Sequence, residues 1–299
     1  MELATFLIQL LNSVQYGLLL FLISSGLTLV FGIMGIINVA HGSFYMIGAY
    51  LAWSLTQTLG NFWAALALAV PIAVIIGLVL EWLVVRFLYT RDLLYQVLLT
   101  YGLILMFEEL RSILWGDDVR GVNIPAALDA SIRLTDTLSY PVYRLAISGV
   151  CLVVAGLMYW LIQKTRVGMT IRAGSVNREM VQSLGIDVKL IYRLVFALGV
   201  TLAALAGMIA APVSSVFPGM GNQILIVCFV VVVIGGMGSV KGALVASLLI
   251  GLVDTFGKVL HVQIGGVHLL PELASMSVYL LMAAILLWRP EGLFGKHTG

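Results

Sequence analysis

Phe6 to Phe31 reads FLIQLLNSVQYGLLLFLISSGLTLVF, a stretch without one charged side chain. About 20 apolar residues in a helix cross a bilayer core, so this run is long enough to span. Immediately after it comes Gly32-Ile33-Met34-Gly35, and a second apolar run opens near residue 36. The absence of charge extends further, because no Asp, Glu, Lys or Arg lies between Glu2 and Glu81 or between Arg193 and Lys241. Charged residues make up 10% of the 299-residue chain, against about 25% in soluble globular domains. With 61% hydrophobic residues and a mean hydropathy of +1.09, the chain has too few charges to cover a water-facing surface. Lipid must be the solvent for most of its exterior.

Apolar runs fall near 6–31, 36–57, 62–86, 94–114, 143–163, 190–211, 223–236, 240–257 and 275–289. The expected fold is therefore an all-α integral membrane protein of about eight to ten transmembrane helices, forming a single domain over 1–299. Met1-Glu2-Leu3 lacks the basic start of a secretory signal, so the first run is expected to stay as a membrane helix. Cytoplasmic loops collect Lys and Arg. Residues 164–193 carry Lys164, Arg166, Arg172, Arg178, Lys189 and Arg193, Arg86 and Arg91 flank another turn, and Arg289 and Lys296 mark the end of the chain. Residues 115–142 hold Asp117, Asp118, Asp129 and Asp136 against two arginines, and 54–63 and 212–222 are uncharged. Nine crossings with the N-terminus outside satisfy every loop.

Small residues recur every four positions at Gly199, Ala203, Gly207 and Ala211, and again at Ala243, Ser247 and Gly251. That spacing lets helix backbones approach closely in lipid, and bundle packing accounts for it fully.

Two glycine-rich interruptions echo each other. Gly32 to Gly35 precedes His41-Gly42, and Gly235-Gly236-Met237-Gly238 precedes Lys241-Gly242. Matched breaks are expected of transporters with internal repeats, here an inverted one, whose discontinuous helices line the substrate route. Two tight hairpins would leave the same trace. Asn38 and His41 follow the first break at helical spacing and can share a face with Tyr45. They suit either a substrate contact or a cap with an interhelical hydrogen bond.

Ionisable residues inside spans are functional candidates by default. Glu108 and Glu109 lie near the outer end of the fourth span with Arg111 beside them, which favours a structural ion pair. Tyr101, seven residues before Glu108, could join it and Thr100 in an inward polar stripe. Glu81 and Asp254 sit near span ends, as anchors would. The path candidates are thus Gly35, Asn38, His41, Gly42, Thr100, Tyr101, Glu108, Gly235, Gly236 and Gly238.

Residues 164–190 form the long basic loop. Val176, Met180 and Leu184 fall four apart, giving a short helix one apolar edge. Asn177 or Ser175 can cap its start and Gly185 can end it, while Arg178, Glu179 and Gln182 take the other faces. Such a helix fits a groove on a partner, or lies on the bilayer surface attracted by its positive charge. No motor is encoded, since Pro290 stands where a phosphate-binding loop ending at Gly295-Lys296 needs its first glycine. Neither a nucleophile elbow, an H-E-x-x-H helix nor a set of metal ligands is present. Cys151 and Cys228 each sit in an apolar run and read as small buried hydrophobes.

Gly26-Leu27-Thr28-Leu29-Val30-Phe31-Gly32-Ile33-Met34-Gly35-Ile36-Ile37-Asn38-Val39-Ala40-His41-Gly42 closely resembles the opening signature of the LivH-type permeases of branched-chain amino acid ABC importers. The likeness continues through Thr100-Tyr101-Gly102-Leu103, Arg172-Ala173 with Asn177, Leu184-Gly185-Ile186, Gly235 to Ser239, and Arg289-Pro290-Glu291-Gly292-Leu293-Phe294-Gly295. It spans nearly the whole chain in order. The resemblance implies a type II importer-like fold in a bacterial inner membrane. A homologous LivM-type permease would be the membrane partner, with two cytoplasmic ATPases that hold ATP and Mg and a periplasmic solute-binding protein. It implies no cofactor or metal in this chain and no nucleic-acid partner. By the same resemblance, the segment containing Arg172, Ala173, Asn177, Arg178, Glu179, Met180, Leu184 and Gly185 is the coupling helix that contacts an ATPase. Met180 and Val181 are bulkier than the small residues the family often has there. The competing expectation is a stand-alone ion-coupled carrier, which should place carboxylates at mid-membrane.

Overall fold

The computed structural model describes residues 3–89, 91–135, 138–176, 178–259, 263–264, 267–268 and 271–295. Asn177, Asp136 and Lys296, all named above, lie outside the described residues. Each of the nine apolar runs becomes a long helix: α1 (Leu3–Met34), α2 (His41–Leu59), α3 (Phe62–Leu83), α4 (Leu93–Trp115), α5 (Val142–Lys164), α8 (Val188–Ser214), α9 (Met220–Gly235), α10 (Val240–Val259) and α11 (Pro271–Trp288). Between α5 and α8 lie two shorter helices, α6 (Arg166–Val176) and α7 (Arg178–Ser183). Among the described residues, five helices have both the length and the hydropathy to cross a membrane: α1, α3, α5, α8 and α10. The chain is a helical, multi-pass membrane protein. Two short antiparallel hairpins, β1 (Ser131–Thr135) with β2 (Leu138–Pro141) and β3 (Gln263–Ile264) with β4 (Val267–His268), lie in connecting segments that sequence reading leaves as plain loops.

Helices α1 and α8 sit at the centre, with 89% and 78% of their apolar windows buried, whereas only 22% of α5 is. Both are uncharged through their buried stretches, as a helix enclosed by other helices must be. Close approach of backbones builds this centre. A Cβ on Gly26 would come 2.7 Å from the Gly199 carbonyl oxygen, and one on Gly251 would come 2.4 Å from that of Ser13. The small-residue stripes are therefore the helix-packing surfaces, as their spacing predicts.

Connecting segments gather at two ends. At the acidic end, the segment after α4 reaches the α8–α9 turn, where Arg120 and Val216 pair through both backbone groups at 2.7 Å. The basic end carries Arg86, Arg91, α6, α7 and residues 289–295.

Glu81 departs from expectation. Rather than anchoring a span end in the interface, it is 1% exposed and pairs with Arg193 Nε of α8 at 2.8 Å, and the Tyr89 hydroxyl also donates to it. A carboxylate this deep survives only with such partners. Losing one partner of a fully buried pair costs several kcal/mol, and the half-open Arg193 side reduces that. Glu81→Ala is expected to destabilise the bundle by about 2 kcal/mol. Thermal unfolding in detergent checks this, and an unchanged midpoint would mean the pair contributes nothing.

Candidate functional site

The two glycine breaks meet in space. A Cβ on Gly32 would lie 2.6 Å from the Gly238 Cα, so the end of α1 rests directly on the turn between α9 and α10. Gly238 has φ +82°, a left-handed turn that a side chain would strain as well as obstruct.

Interrupted helices leave backbone N–H and C=O groups without partners, and inside a membrane protein water cannot be relied on to satisfy them. At the first break the partners come from α4. Gln96 Oε1 accepts from the Ile37 N–H at 3.1 Å, and Thr100 Oγ1 accepts from the Val39 N–H at 3.3 Å. Asn38 Oδ1 accepts from the Ala40 N–H at 3.1 Å. At the second break the partners come from the end of the chain. The Leu293 and Phe294 N–H groups donate to the Ile234 and Gly235 carbonyls, the last of α9, at 2.8 and 3.1 Å. Ser239 Oγ accepts from the Gly242 N–H at 3.1 Å and so caps α10. The Arg289–Gly295 motif thus closes the α9 terminus.

Replacing Gln96 by Leu strands the Ile37 N–H, and a buried unsatisfied donor costs about 1–3 kcal/mol. Gln96→Leu is expected to lower the unfolding midpoint, and Gln96→Glu, which keeps the acceptor, to recover part of the loss.

Around the junction lies a cavity of about 540 Å³, lined by Thr28, Gly32, Gln163, Arg172, Gly238 and Lys241 among others. It faces the basic end and joins both breaks to the start of the α6–α7 arm. Gly35, with φ +66°, ends α1. Gly42 packs against Gly221 and Gly235 against Gly242, each too closely for a side chain.

His41 turns away from the cavity. Its ring nitrogen Nε2 lies 2.9 Å from the Ile23 carbonyl, which makes it an interhelical tie between α2 and α1. Asn38 is 2% exposed, and its Nδ2 has no hydrogen-bond partner among the described residues. The polar stripe on α4 divides. Thr100 is buried against the first break, whereas Tyr101 is 53% exposed on another face. Glu108 lies 3.4 Å from Arg111 Nη2 in an ion pair. Arg111 also donates to the Asp117 carboxylate at 2.6 Å and the Gly116 carbonyl at 2.7 Å, closing the end of α4. Its guanidinium, followed by the Ser112 hydroxyl, holds the Asp117 carboxyl below its usual range.

Sequence reading gives the arm one short helix, and the structure has two. Thr165 Oγ1 accepts from the Gly168 N–H at 3.1 Å at the start of α6, and Asn177, the cap expected at the start of α7, lies outside the described residues. Arg172 Nη1 donates to the Ile162 carbonyl and, at 2.9 Å, to Gln163 Oε1, which binds α6 to the end of α5. Gly185 ends α7 as expected, with φ +81°, its N–H on the Gln182 carbonyl and the Ile186 N–H on that of Val181. Among the described side chains of α7, Val181 is the buried one, while Met180 and the following Leu184 are 62% and 74% exposed. Ala173 is exposed too, and the backbones of Arg178 and Glu179 lie in α7.

Helices interrupted inside the bundle, their loose ends satisfied by α4, by the end of the chain and by local caps, are the architecture expected of a membrane transporter. The chain belongs to the family of branched-chain amino acid transport system permease components, which matches residues 9–286. It is 29% identical to the high-affinity branched-chain amino acid transport system permease protein BraD of Pseudomonas aeruginosa, over 99% of this chain and 97% of that one. To the high-affinity branched-chain amino acid transport system permease protein LivH of Escherichia coli K12 it is 26% identical, over 97% and 96% of the two chains. Among solved structures, PsaBC from Streptococcus pneumoniae in complex with Fab aligns over 93% of this chain at 15% identity and a TM-score of 0.45.

Proposed function

We propose that this chain is a membrane-spanning subunit of an ATP-binding-cassette importer that moves branched-chain amino acids or similarly small polar solutes across a bacterial inner membrane. The observation that carries the reading is the placement of Arg172. It fastens the α6–α7 arm to the end of α5 and lines the cavity where the two glycine breaks meet. A push on the exposed Met180 and Leu184 edge therefore reaches the breaks through Arg172 and its neighbour Ile171, which lines the same cavity. The edge docks in a groove of a cytoplasmic ATPase, and its apolar residues supply the contact. ATP and Mg bind and react on two such partner subunits, and this chain catalyses nothing itself. A homologous LivM-type permease completes the membrane unit, and a periplasmic binding protein delivers solute to the acidic end. Alternating access follows when the junction of Gly32 with Gly238 opens and closes.

The rival carrier reading draws its energy from an ion gradient. Proteoliposomes containing the chain and its co-expressed genomic neighbours separate the two. Uptake should require ATP on the side of the basic end and survive collapse of every ion gradient. Uptake by the chain alone, driven by a sodium or proton gradient, would replace the importer with a carrier.

A further inference from the structure

A second cavity, of about 310 Å³, opens at the acidic end between α1, α2, α9, α10 and α11. On its wall stand Asp254 and Lys258, one helical turn apart on α10 and paired at 2.6 Å. They do not behave as span anchors. The Asp254 side chain is only 15% exposed, and Tyr16, Tyr45, Tyr279 and Gln223 line the same cavity. An i,i+4 pair contributes only about 0.3–0.5 kcal/mol to a helix, too little by itself to explain a carboxylate this little exposed. Ile224, Val227 and Val278 supply an apolar part of the lining.

We propose that this cavity binds the zwitterionic headgroup of an α-amino acid, with its ammonium on Asp254, its carboxylate on Lys258 and an apolar side chain against Ile224, Val227 and Val278. A zwitterion exchanges with the Asp254–Lys258 pair partner for partner, so the largely buried Asp254 carboxylate keeps a counter-charge at either stage, the condition a desolvated charge demands, while Lys258 is 54% exposed. A lone anion leaves Asp254 without its partner, and a lone cation leaves Lys258 without a ligand charge. Tyrosine hydroxyls and the Gln223 amide supply uncharged hydrogen bonds that fix orientation, the usual composition of a small-molecule pocket. The site rests on the importer reading above, since it gives that importer a place to receive solute, and it can be tested separately.

Both native cysteines, Cys151 and Cys228, are fully buried, so a cysteine introduced on the cavity wall reports on a low background. Gln223→Cys and Ser214→Cys are two independent positions on that wall, each exposed. The assembled complex in nanodiscs is treated with a membrane-impermeant thiol reagent, with and without L-leucine, isovalerate or isoamylamine. L-Leucine at about nine times its Kd should slow labelling about tenfold, as competition for one site requires. Isovalerate and isoamylamine, which each carry one of the two charges, should give little protection. Adding Asp254→Asn should remove the protection by L-leucine. Labelling at the same rate with and without L-leucine at both positions overturns the site, and so does equal protection by all three compounds. Transport of L-leucine by the same preparation in proteoliposomes is scored separately. Transport without protection rejects the site and keeps the importer, and protection without transport keeps the site and rejects the importer.

Discussion

Gly207→Leu is expected to abolish recovery of folded protein. A Cβ at Gly207 would lie 2.0 Å from the Tyr45 carbonyl oxygen and 3.1 Å from the Ala49 nitrogen, both backbone atoms of α2. The seam is reciprocal, because a Cβ at Gly48 of α2 would lie 2.1 Å from the Ala204 carbonyl oxygen of α8. Overpacking costs about 1–3 kcal/mol where side chains can give way. Here the obstacle is backbone, so α2 and α8 must separate along their length. Helix association in lipid depends on such contacts, with no hydrophobic drive between helices to replace them. Monodisperse protein after detergent extraction should fall to a small fraction of the wild-type amount, with Gly207→Ala intermediate. A Gly207→Leu protein with a wild-type yield and unfolding midpoint would mean the seam is not built as described.

Arg172→Glu should uncouple the complex while leaving the bundle folded. The substitution removes a charged donor from the Ile162 carbonyl and Gln163 Oε1 and sets a carboxylate against those acceptors. Hydrogen bonds from charged groups contribute about 1.5–3 kcal/mol, so stimulated ATP hydrolysis is expected to fall at least about tenfold. The unfolding midpoint should move little, because α6 lies outside the buried centre. Arg172→Lys should restore part of the activity. Hydrolysis unaffected by Arg172→Glu would remove the arm from the transmission path.

Much of this architecture is legible in the sequence, because the bilayer imposes a length on each helix and composition records it. The nine apolar runs correspond to nine long helices, and the glycine breaks at Gly35 and Gly236 fall where their glycines stand. The four-residue spacing of small residues on α8 foretold a close backbone contact, though not that α2 would make it. What satisfies each break could not be read locally. Gln96 and the Leu293 N–H reach their partners across long stretches of chain, and nothing in either stretch marks them as partners.

Helix faces were the weakest reading, for a physical reason. Lipid is as apolar as a packed interior, so hydropathy does not mark which side of a span meets protein. Seven-residue spacing placed Tyr101 with Glu108, yet the buried face of α4 runs through Gln96, Thr100, Leu103 and Phe107. In the arm the cause differs, since a four-residue spacing marks Met180 and Leu184 as one apolar edge without saying whether that edge is buried, and Val181 is the buried neighbour. Glu81 and Asp254 shared one reading by position along their spans. Glu81 proved to be the buried partner of Arg193, and Asp254 lines a cavity.

The most direct test of the importer account is to purify the chain in nanodiscs after co-expression with its genomic neighbours, and to measure ATP hydrolysis as loaded binding protein is added. The account predicts that two ATPase subunits copurify and that hydrolysis rises with loaded binding protein. Purified chain with no ATPase bound, and no hydrolysis at any concentration of binding protein, would contradict it.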